Sequence, residues 1–180
     1  METKRVSRLF RKKVKEVNKK KMVEIKKEEF DYYVFMDYSE NLIGYLIINK
    51  EKIKELLPKI SKLKHYKGLR NKVQYLNSIK KVFEKDKILE IVSKYKVAEL
   101  RQNIEICSEI FEFCRKNPDS KFFMSVDDRQ YKGFMKIAFL IDGKRFKIVK
   151  EGQLKKNSIE YEMSLIIDTL LNLKRTRQNE

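Results

Sequence analysis

The stretch Asp31-Tyr-Tyr-Val-Phe-Met-Asp-Tyr-Ser-Glu-Asn-Leu-Ile-Gly-Tyr-Leu-Ile-Ile-Asn49 decides the fold. Two unbroken runs of aromatic and aliphatic residues, Tyr32–Met36 and Leu42–Ile48, are typical of strands that are buried on both faces. The segment Ser39-Glu-Asn41 between them favours a tight turn, because Ser and Asn side chains bond to nearby backbone groups. The stretch therefore predicts two strands joined as a hairpin.

The rest of the chain alternates helical and strand-like patterns. Apolar residues recur at helical spacing in five segments: Lys50–Ile60, Leu69–Phe83, Ala98–Cys114, Tyr131–Ile141 and Ser158–Leu173. Lys121–Val126 and Arg145–Lys150 have the pattern of strands, and Lys87–Val92 fits either a strand or a helical turn. We therefore predict an α/β fold in which a mixed central sheet starts with an antiparallel hairpin and helices pack around it.

Length and charge indicate one domain that attracts polyanions. The chain has 180 residues, and we place the domain at 29–175, before a basic tail that we expect to fray over 176–180. Its net charge is +17, and nucleic acid is the usual partner of such an excess. A composition rich in Lys, Glu and Ile is typical of hyperthermophile proteins, although AT-rich genomes produce the same bias.

Two basic segments are candidates for contacts with nucleic-acid phosphates. Residues 1–28 combine a high density of Lys and Arg with apolar residues at helical spacing, which indicates either a basic amphipathic helix or an arm that orders on nucleic acid. The second segment follows the hairpin. The expected phosphate contacts are Arg11, Lys12 and Lys13 in the first segment and Lys62, Lys64, Lys67 and Arg70 in the second. Such contacts bind the backbone without reading sequence.

Cysteine usage and hydropathy restrict the class of protein. Cys107 and Cys114 are seven residues apart in a helical pattern, too far for a disulfide within one helix, and fit the core of a protein in a reducing compartment. With a single histidine, His65, their spacing excludes a zinc motif. We expect no membrane span and no signal peptide, and hence a cytoplasmic protein, because no apolar run approaches 18 residues.

Three acidic positions interrupt patterns that favour apolar or neutral residues. Asp37 ends the first strand, Asp127 (with Asp128) ends a later strand, and Asp168 lies in an apolar helical run. The carboxyl ends of strands in an open α/β sheet face the ligand crevice. Should the last helix pack near those ends, the carboxylates converge, and a cluster of oxygens suits Mg²⁺ or Mn²⁺. The alternatives are a turn cap for Asp37, a helix cap for Asp127 or Asp128, and an ion pair for Asp168.

Three short motifs resemble a known family. Tyr33-Val-Phe-Met-Asp37-Tyr-Ser39-Glu-Asn41 resembles the opening of a large uncharacterised group of ribonuclease H-like domains, whose first strand ends in Asp-Glu-Ser-Gly. Asp37 and Ser39 match that motif, whereas its Glu is Tyr38 here and its Gly is Glu40. The segments 122–129 and 166–170 resemble the second acidic strand and the closing helix of the group.

The resemblance implies a ribonuclease H-like fold and a two-metal phosphodiesterase site with Asp37, Asp127 and Asp168 as catalytic metal ligands and Asp128 as a further one. The group often carries another acid after the hairpin, but the segment from Lys62 to Lys67 has none. Glu99, Glu105 and Glu109 are the substitutes, and we choose Glu105.

Our leading hypothesis is therefore a nuclease that depends on Mg²⁺ or Mn²⁺ and acts on DNA or RNA. A non-catalytic nucleic-acid-binding protein is the alternative, and a protein-interaction domain whose charge aids solubility is a third. His65 either orients a water, contacts phosphate or is a surface residue of a lysine-rich loop.

Overall fold

A computed structural model describes residues 30–125, 128–142 and 148–178 of the chain. Within these residues one sheet contains the strands β1 (Tyr32–Ser39), β2 (Leu42–Asn49), β3 (Lys94–Glu99), β4 (Ser120–Ser125) and β5 (Ile148–Lys150). Their order across the sheet is β3-β2-β1-β4-β5. Strand β2 is antiparallel to both β1 and β3, whereas β4 is parallel to β1 and β5 is parallel to β4. The predicted mixed sheet of an α/β fold is confirmed.

Helices cover both faces of this sheet. They are α1 (Ile53–Ile60), α2 (Lys72–Lys85), α3 (Ile88–Ile91), α4 (Asn103–Lys116), α5 (Asp128–Asp142) and α6 (Ile159–Gln178). None of the helices in the described ranges combines the length and the apolar character that a membrane crossing needs.

Two apolar cores result, because alternate residues of a strand point to opposite faces of a sheet. Phe35 and Leu46 belong to the core under α1, α2, α3 and α6. Met36 and Tyr45 belong to the core under α4 and α5. Both faces of β1 and β2 are therefore buried, which is why their sequences are continuous apolar runs rather than alternating ones.

Both cysteines lie in the second core as free thiols, on α4. Burial raises the pKa of Cys107 to about 12 and that of Cys114 to about 11. Both side chains therefore act as small apolar residues rather than as reactive thiolates.

Strand β3 was not predicted from the sequence, which indicated a helix from Ala98 instead. The strand spans Lys94–Glu99 and pairs only with β2 among the described residues. Its first four residues, Lys-Tyr-Lys-Val, leave charged and aromatic side chains partly exposed, as short edge strands often do. The local sequence is therefore polar, and the pairing with β2 determines the conformation.

The C-terminal basic segment is a second difference. Helix α6 continues to Gln178, so that residues 176–178 of the tail that was expected to fray lie within a helix. One contact of this segment is made by Arg175, whose Nη1 donates to Glu40 Oε1 at 2.8 Å and to Ser39 Oγ at 3.4 Å. These bonds attach the last turns of α6 to the connection between β1 and β2.

Gly44 permits a close approach of α6 to the sheet. A Cβ at this position would lie 2.8 Å from Ile167 Cδ1 and 3.2 Å from Lys96 O. In the antiparallel register Gly44 is opposite Asp37. The absence of a side chain at Gly44 therefore lets the turn of α6 that carries Ile167 and Asp168 pack beside the end of β1.

We predict that Gly44→Val lowers the free energy of unfolding by about 1 to 3 kcal/mol, because the new side chain overpacks the contact with Ile167. Denaturant unfolding followed by circular dichroism measures the change. Gly133→Val on α5 is the matched control, since a Cβ there meets nothing within 4 Å. An equal loss of stability in both variants would show that the close approach at Gly44 is not a constraint.

Candidate active site

A cleft of about 310 Å³ opens at the carboxyl ends of β1 and β4. It is lined by carboxylates, cations, hydroxyls, an amide and aromatic rings: Asp37, Asp168, Lys67, Lys72, Arg175, Tyr38, Ser39, Ser125, Asn172, His65 and Tyr66. These residues come from β1, β4, α2, α6 and the loop between α1 and α2. The carboxyl ends of parallel strands are where α/β proteins commonly bind ligands.

Asp37 forms the strand side of the cleft. It is only 8% exposed, and its Oδ1 accepts a hydrogen bond from the backbone N–H of Tyr38 at 2.7 Å. In the parallel register Asp37 is beside Ser125, the last residue of β4. The two neighbouring strands therefore deliver a carboxylate and a hydroxyl to the same place.

Asp168 forms the helix side of the cleft. Its Oδ2 accepts from the backbone N–H of Tyr66 at 3.0 Å, and its Oδ1 accepts from Nδ2 of Asn172 at 2.9 Å. Asn172 lies one turn further along α6 on the same side of the helix. Donors to both oxygens fix the direction of the carboxylate, as the outer-shell partners of metal ligands do.

The loop that closes the cleft is basic and aromatic. The ring of Tyr66 lies 5.0 Å from Lys72 Nζ and 5.1 Å from Arg175 Cζ. The backbone N–H of Lys67 donates to Nδ1 of His65 at 3.3 Å, which caps the 3-10 turn Tyr66–Gly68. The predicted basic segment after the hairpin thus reaches the cleft through Lys67.

Two of the four aspartates predicted to bind metal lie in the cleft of the described structure. Asp37 and Asp168 line the same cleft. Asp127 and the side chain of Asp128 lie outside the described part of the chain, although β4 reaches the cleft at Ser125, two positions before Asp127. Among the described residues, no three His, Cys, Asp or Glu side chains form a group that could hold a metal. The carboxylates of Asp37 and Asp168 are nevertheless oxygen donors of the kind that Mg²⁺ and Mn²⁺ prefer.

Glu105 is not brought to the cleft. It lies on α4, across the sheet, where Lys96 Nζ approaches Glu105 Oε1 and Glu109 Oε1, each at 2.6 Å. Tyr45 Oη also donates to Glu109 Oε2 at 2.6 Å. Glu105 and Glu109 therefore stabilise the packing of α4 against β2 and β3.

The pKa values of these glutamates follow from their partners. Burial alone would raise the pKa of Glu109, but hydrogen bonds from Lys96, Tyr45 and Lys94 outweigh it and bring the pKa to about 2. The hydrogen bond from Lys96 also lowers the pKa of Glu105.

The other described residues that were predicted to contact phosphate do not line the cleft. Lys62, Lys64 and Arg70 are exposed near the cleft loop. The backbone of Lys64 exchanges two hydrogen bonds with the hydroxyl of Tyr75, at 2.8 and 3.1 Å, which holds this part of the loop on α2. Arg11, Lys12 and Lys13 lie outside the described residues.

Among the cleft residues that sequence reasoning missed are Tyr66, Lys72, Asn172 and Arg175. For two of them a signal existed, because Asn172 and Arg175 follow Asp168 by four and seven residues and so share its side of α6. Tyr66 and Lys72 have no such signal. Tyr66 reaches the cleft through a hydrogen bond to Asp168, which is far away in sequence, and Lys72 reaches it beside the ring of Tyr66.

Comparison with known proteins gives little support for any family. No protein-family model matches the chain, and no curated protein matches its sequence. Among solved structures, the chain is similar to one chain of the PCNA:RNase HII complex from Archaeoglobus fulgidus, with 14% identity and a TM-score of 0.44. That match covers 81% of this chain and 72% of the other. A likeness of this size does not establish a family, so the function is inferred from the cleft itself.

We predict that Glu109→Gln weakens the acid sensitivity of the fold. The folded-state pKa of Glu109, about 2, lies below its ordinary value of 4.5. The stabilisation from its ionised form is thus complete above about pH 4.5 and is lost as the pH falls toward 2. Denaturant unfolding over this range should give a shallower pH dependence than for the wild type. Glu84→Gln, at an exposed position of α2, is the control, and a Glu109→Gln curve that parallels the wild type would contradict the prediction.

Proposed function

We propose that the protein is a metal-dependent nuclease of the ribonuclease H-like kind, which hydrolyses phosphodiester bonds of DNA or RNA. The observation that carries the proposal is that Asp37 and Asp168 line one cleft at the carboxyl ends of β1 and β4. The mixed sheet also supports it, because a mixed central sheet was expected for the ribonuclease H-like fold.

Asp37 and Asp168 would hold Mg²⁺ or Mn²⁺ together with Asp127 and Asp128, which follow β4 in the sequence. A pair of such cations supplies an activated water and stabilises the leaving oxygen of the phosphodiester. The contribution of the protein is to orient the ligands. Tyr66 and Asn172 hold the carboxylate of Asp168, and the backbone of Tyr38 holds that of Asp37.

The basic residues around the cleft would hold the substrate. Lys67 lines the cleft, and Lys62, Lys64 and Arg70 are exposed in the same part of the chain. A polynucleotide bound along these residues places its phosphates near the carboxylates without any contact that reads base sequence.

One observation favours a second function, that of a non-catalytic nucleic-acid-binding protein. Both oxygens of Asp168 already accept hydrogen bonds, from Tyr66 and from Asn172. Those bonds give Asp168 a structural role, because they attach the cleft loop to α6 whether or not a metal binds. In that case the lysines around the cleft bind nucleic acid, and the acids only maintain the fold.

We predict that the protein cleaves end-labelled single-stranded, duplex or hybrid substrates in Mg²⁺ or Mn²⁺, and that Asp37→Asn lowers the rate by about a hundredfold or more, because a metal ligand is lost. An Asn side chain still accepts the hydrogen bond from Tyr38, so the fold should be retained; circular dichroism checks this. The measurement is the initial rate with each substrate and metal.

Asp119→Asn is the matched control, because Asp119 is exposed and lies just before β4, at the opposite end of that strand from the cleft. Its rate should equal that of the wild type. Binding without cleavage in every protein would reject the nuclease and favour the non-catalytic function. Cleavage that persists unchanged in Asp37→Asn would remove Asp37 from the site.

A further inference from the structure

Two cations approach the ring of Tyr66: Lys72 from α2 and Arg175 from α6. All three residues line the cleft. The backbone N–H of Tyr66 also bonds to Asp168 at 3.0 Å. The position of this aromatic and cationic group is therefore fixed relative to one of the two carboxylates.

Arg175 is oriented before any ligand binds. Its side chain is only 19% exposed, and Nη1 contacts Glu40 Oε1 and Ser39 Oγ. A guanidinium has five N–H donors, and the hydrogen bonds found among the described residues use only this one nitrogen. Because orientation is already set, less conformational entropy is lost when an anion binds.

The partner that Arg175 has in the structure is easily replaced. The side chain of Glu40 is 67% exposed, and a solvent-exposed ion pair contributes only about 0 to 1 kcal/mol. A phosphate presents two oxygens in the geometry of the guanidinium fork, which a single exposed carboxylate oxygen does not match. An incoming phosphate can therefore displace Glu40 at little cost.

The charges of the cleft also favour binding of an anion near the ring of Tyr66 rather than beside the buried Asp37. Asp37 is nearly fully buried, whereas Lys72 is exposed. Negative charge thus lies at Asp37 inside the cleft and at Asp168 beside the backbone of Tyr66, whereas Lys72 and Arg175 place positive charge around the ring of Tyr66. A polyanion is attracted to the cationic part and is repelled from the interior unless a cation is bound there.

We propose that Tyr66, Lys72 and Arg175 form a binding site for one backbone phosphate of a polynucleotide, with Arg175 exchanging Glu40 for that phosphate. The site rests on the proposed function, since it would hold a nucleotide next to the bond that is cleaved. Tyr66 keeps the two cations together and connects their position to Asp168.

The test measures binding of a fluorescent single-stranded DNA oligonucleotide by anisotropy, in EDTA and over a series of KCl concentrations. Arg175→Gln should weaken binding about tenfold at the lowest salt. The slope of log K against log salt should become less negative by about 0.7, as expected for one lost phosphate contact with a single strand. Arg175→Lys should recover part of the affinity, because it keeps the charge but not the fork.

Arg115→Gln is the matched control, since it makes the same change of charge at an exposed position on α4, on the opposite side of the sheet. Lys72→Gln is the second test variant, because Lys72 is exposed and its loss leaves the attachment of α6 to Glu40 intact. Lys72→Gln should make the slope less negative by about the same 0.7, with no change in melting temperature. If Arg175→Gln does not fold, Lys72→Gln alone decides.

The proposal is overturned if the folded variants at Arg175 and Lys72 match Arg115→Gln in both affinity and slope. It is also overturned if inorganic phosphate binds in an Arg175-dependent way while the oligonucleotide does not, since the ligand would then be a free anion. Because EDTA removes divalent metals, the result is independent of cleavage. A protein that never cleaves but shows the expected slopes keeps the phosphate site and loses only the nuclease.

Discussion

The close packing of α6 across β1 and β2 is the constraint on which the cleft depends. Gly44 leaves room for Ile167, and the next residue of the helix is Asp168. Opposite Gly44 in the sheet is Asp37. A side chain at position 44 would clash with Ile167, so the glycine permits the close packing of this turn of α6 on the sheet. A glycine in a strand, which normally weakens it, is therefore explained here by the approach of the helix.

Contacts with the sheet, the cleft loop and the connection after β1 hold α6 in that position. Ile167 packs on the sheet, Asp168 bonds to the backbone of Tyr66 in the loop, and Arg175 bonds to Glu40 after β1. Each joins residues far apart in sequence, so all of them depend on the tertiary packing of α6 on the sheet. The cleft is consequently a product of the tertiary structure and not of any local motif.

This dependence explains what the sequence could and could not predict. The apolar runs of β1 and β2 and the helical stripes are visible because burial imposes them on the local sequence. Asp168 was visible because a charge interrupts such a stripe. By contrast, β3 is a polar edge strand whose conformation comes from pairing with β2. Tyr66 carries no local signal, since its role arises from a hydrogen bond to a distant helix.

The burial of Asp37 bears on the choice between the two functions. Its hydrogen bond from the backbone of Tyr38 would be made equally well by a neutral Asn, without the cost of burying a charge. A second carboxylate, Asp168, lines the same cleft and adds repulsion. The cations Lys67, Lys72 and Arg175 line the same cleft and offset part of this repulsion. The proposed nuclease would bring divalent cations to the acidic interior and an anionic backbone to the basic surroundings of Tyr66, whereas the proposed non-catalytic protein would use only the basic surroundings.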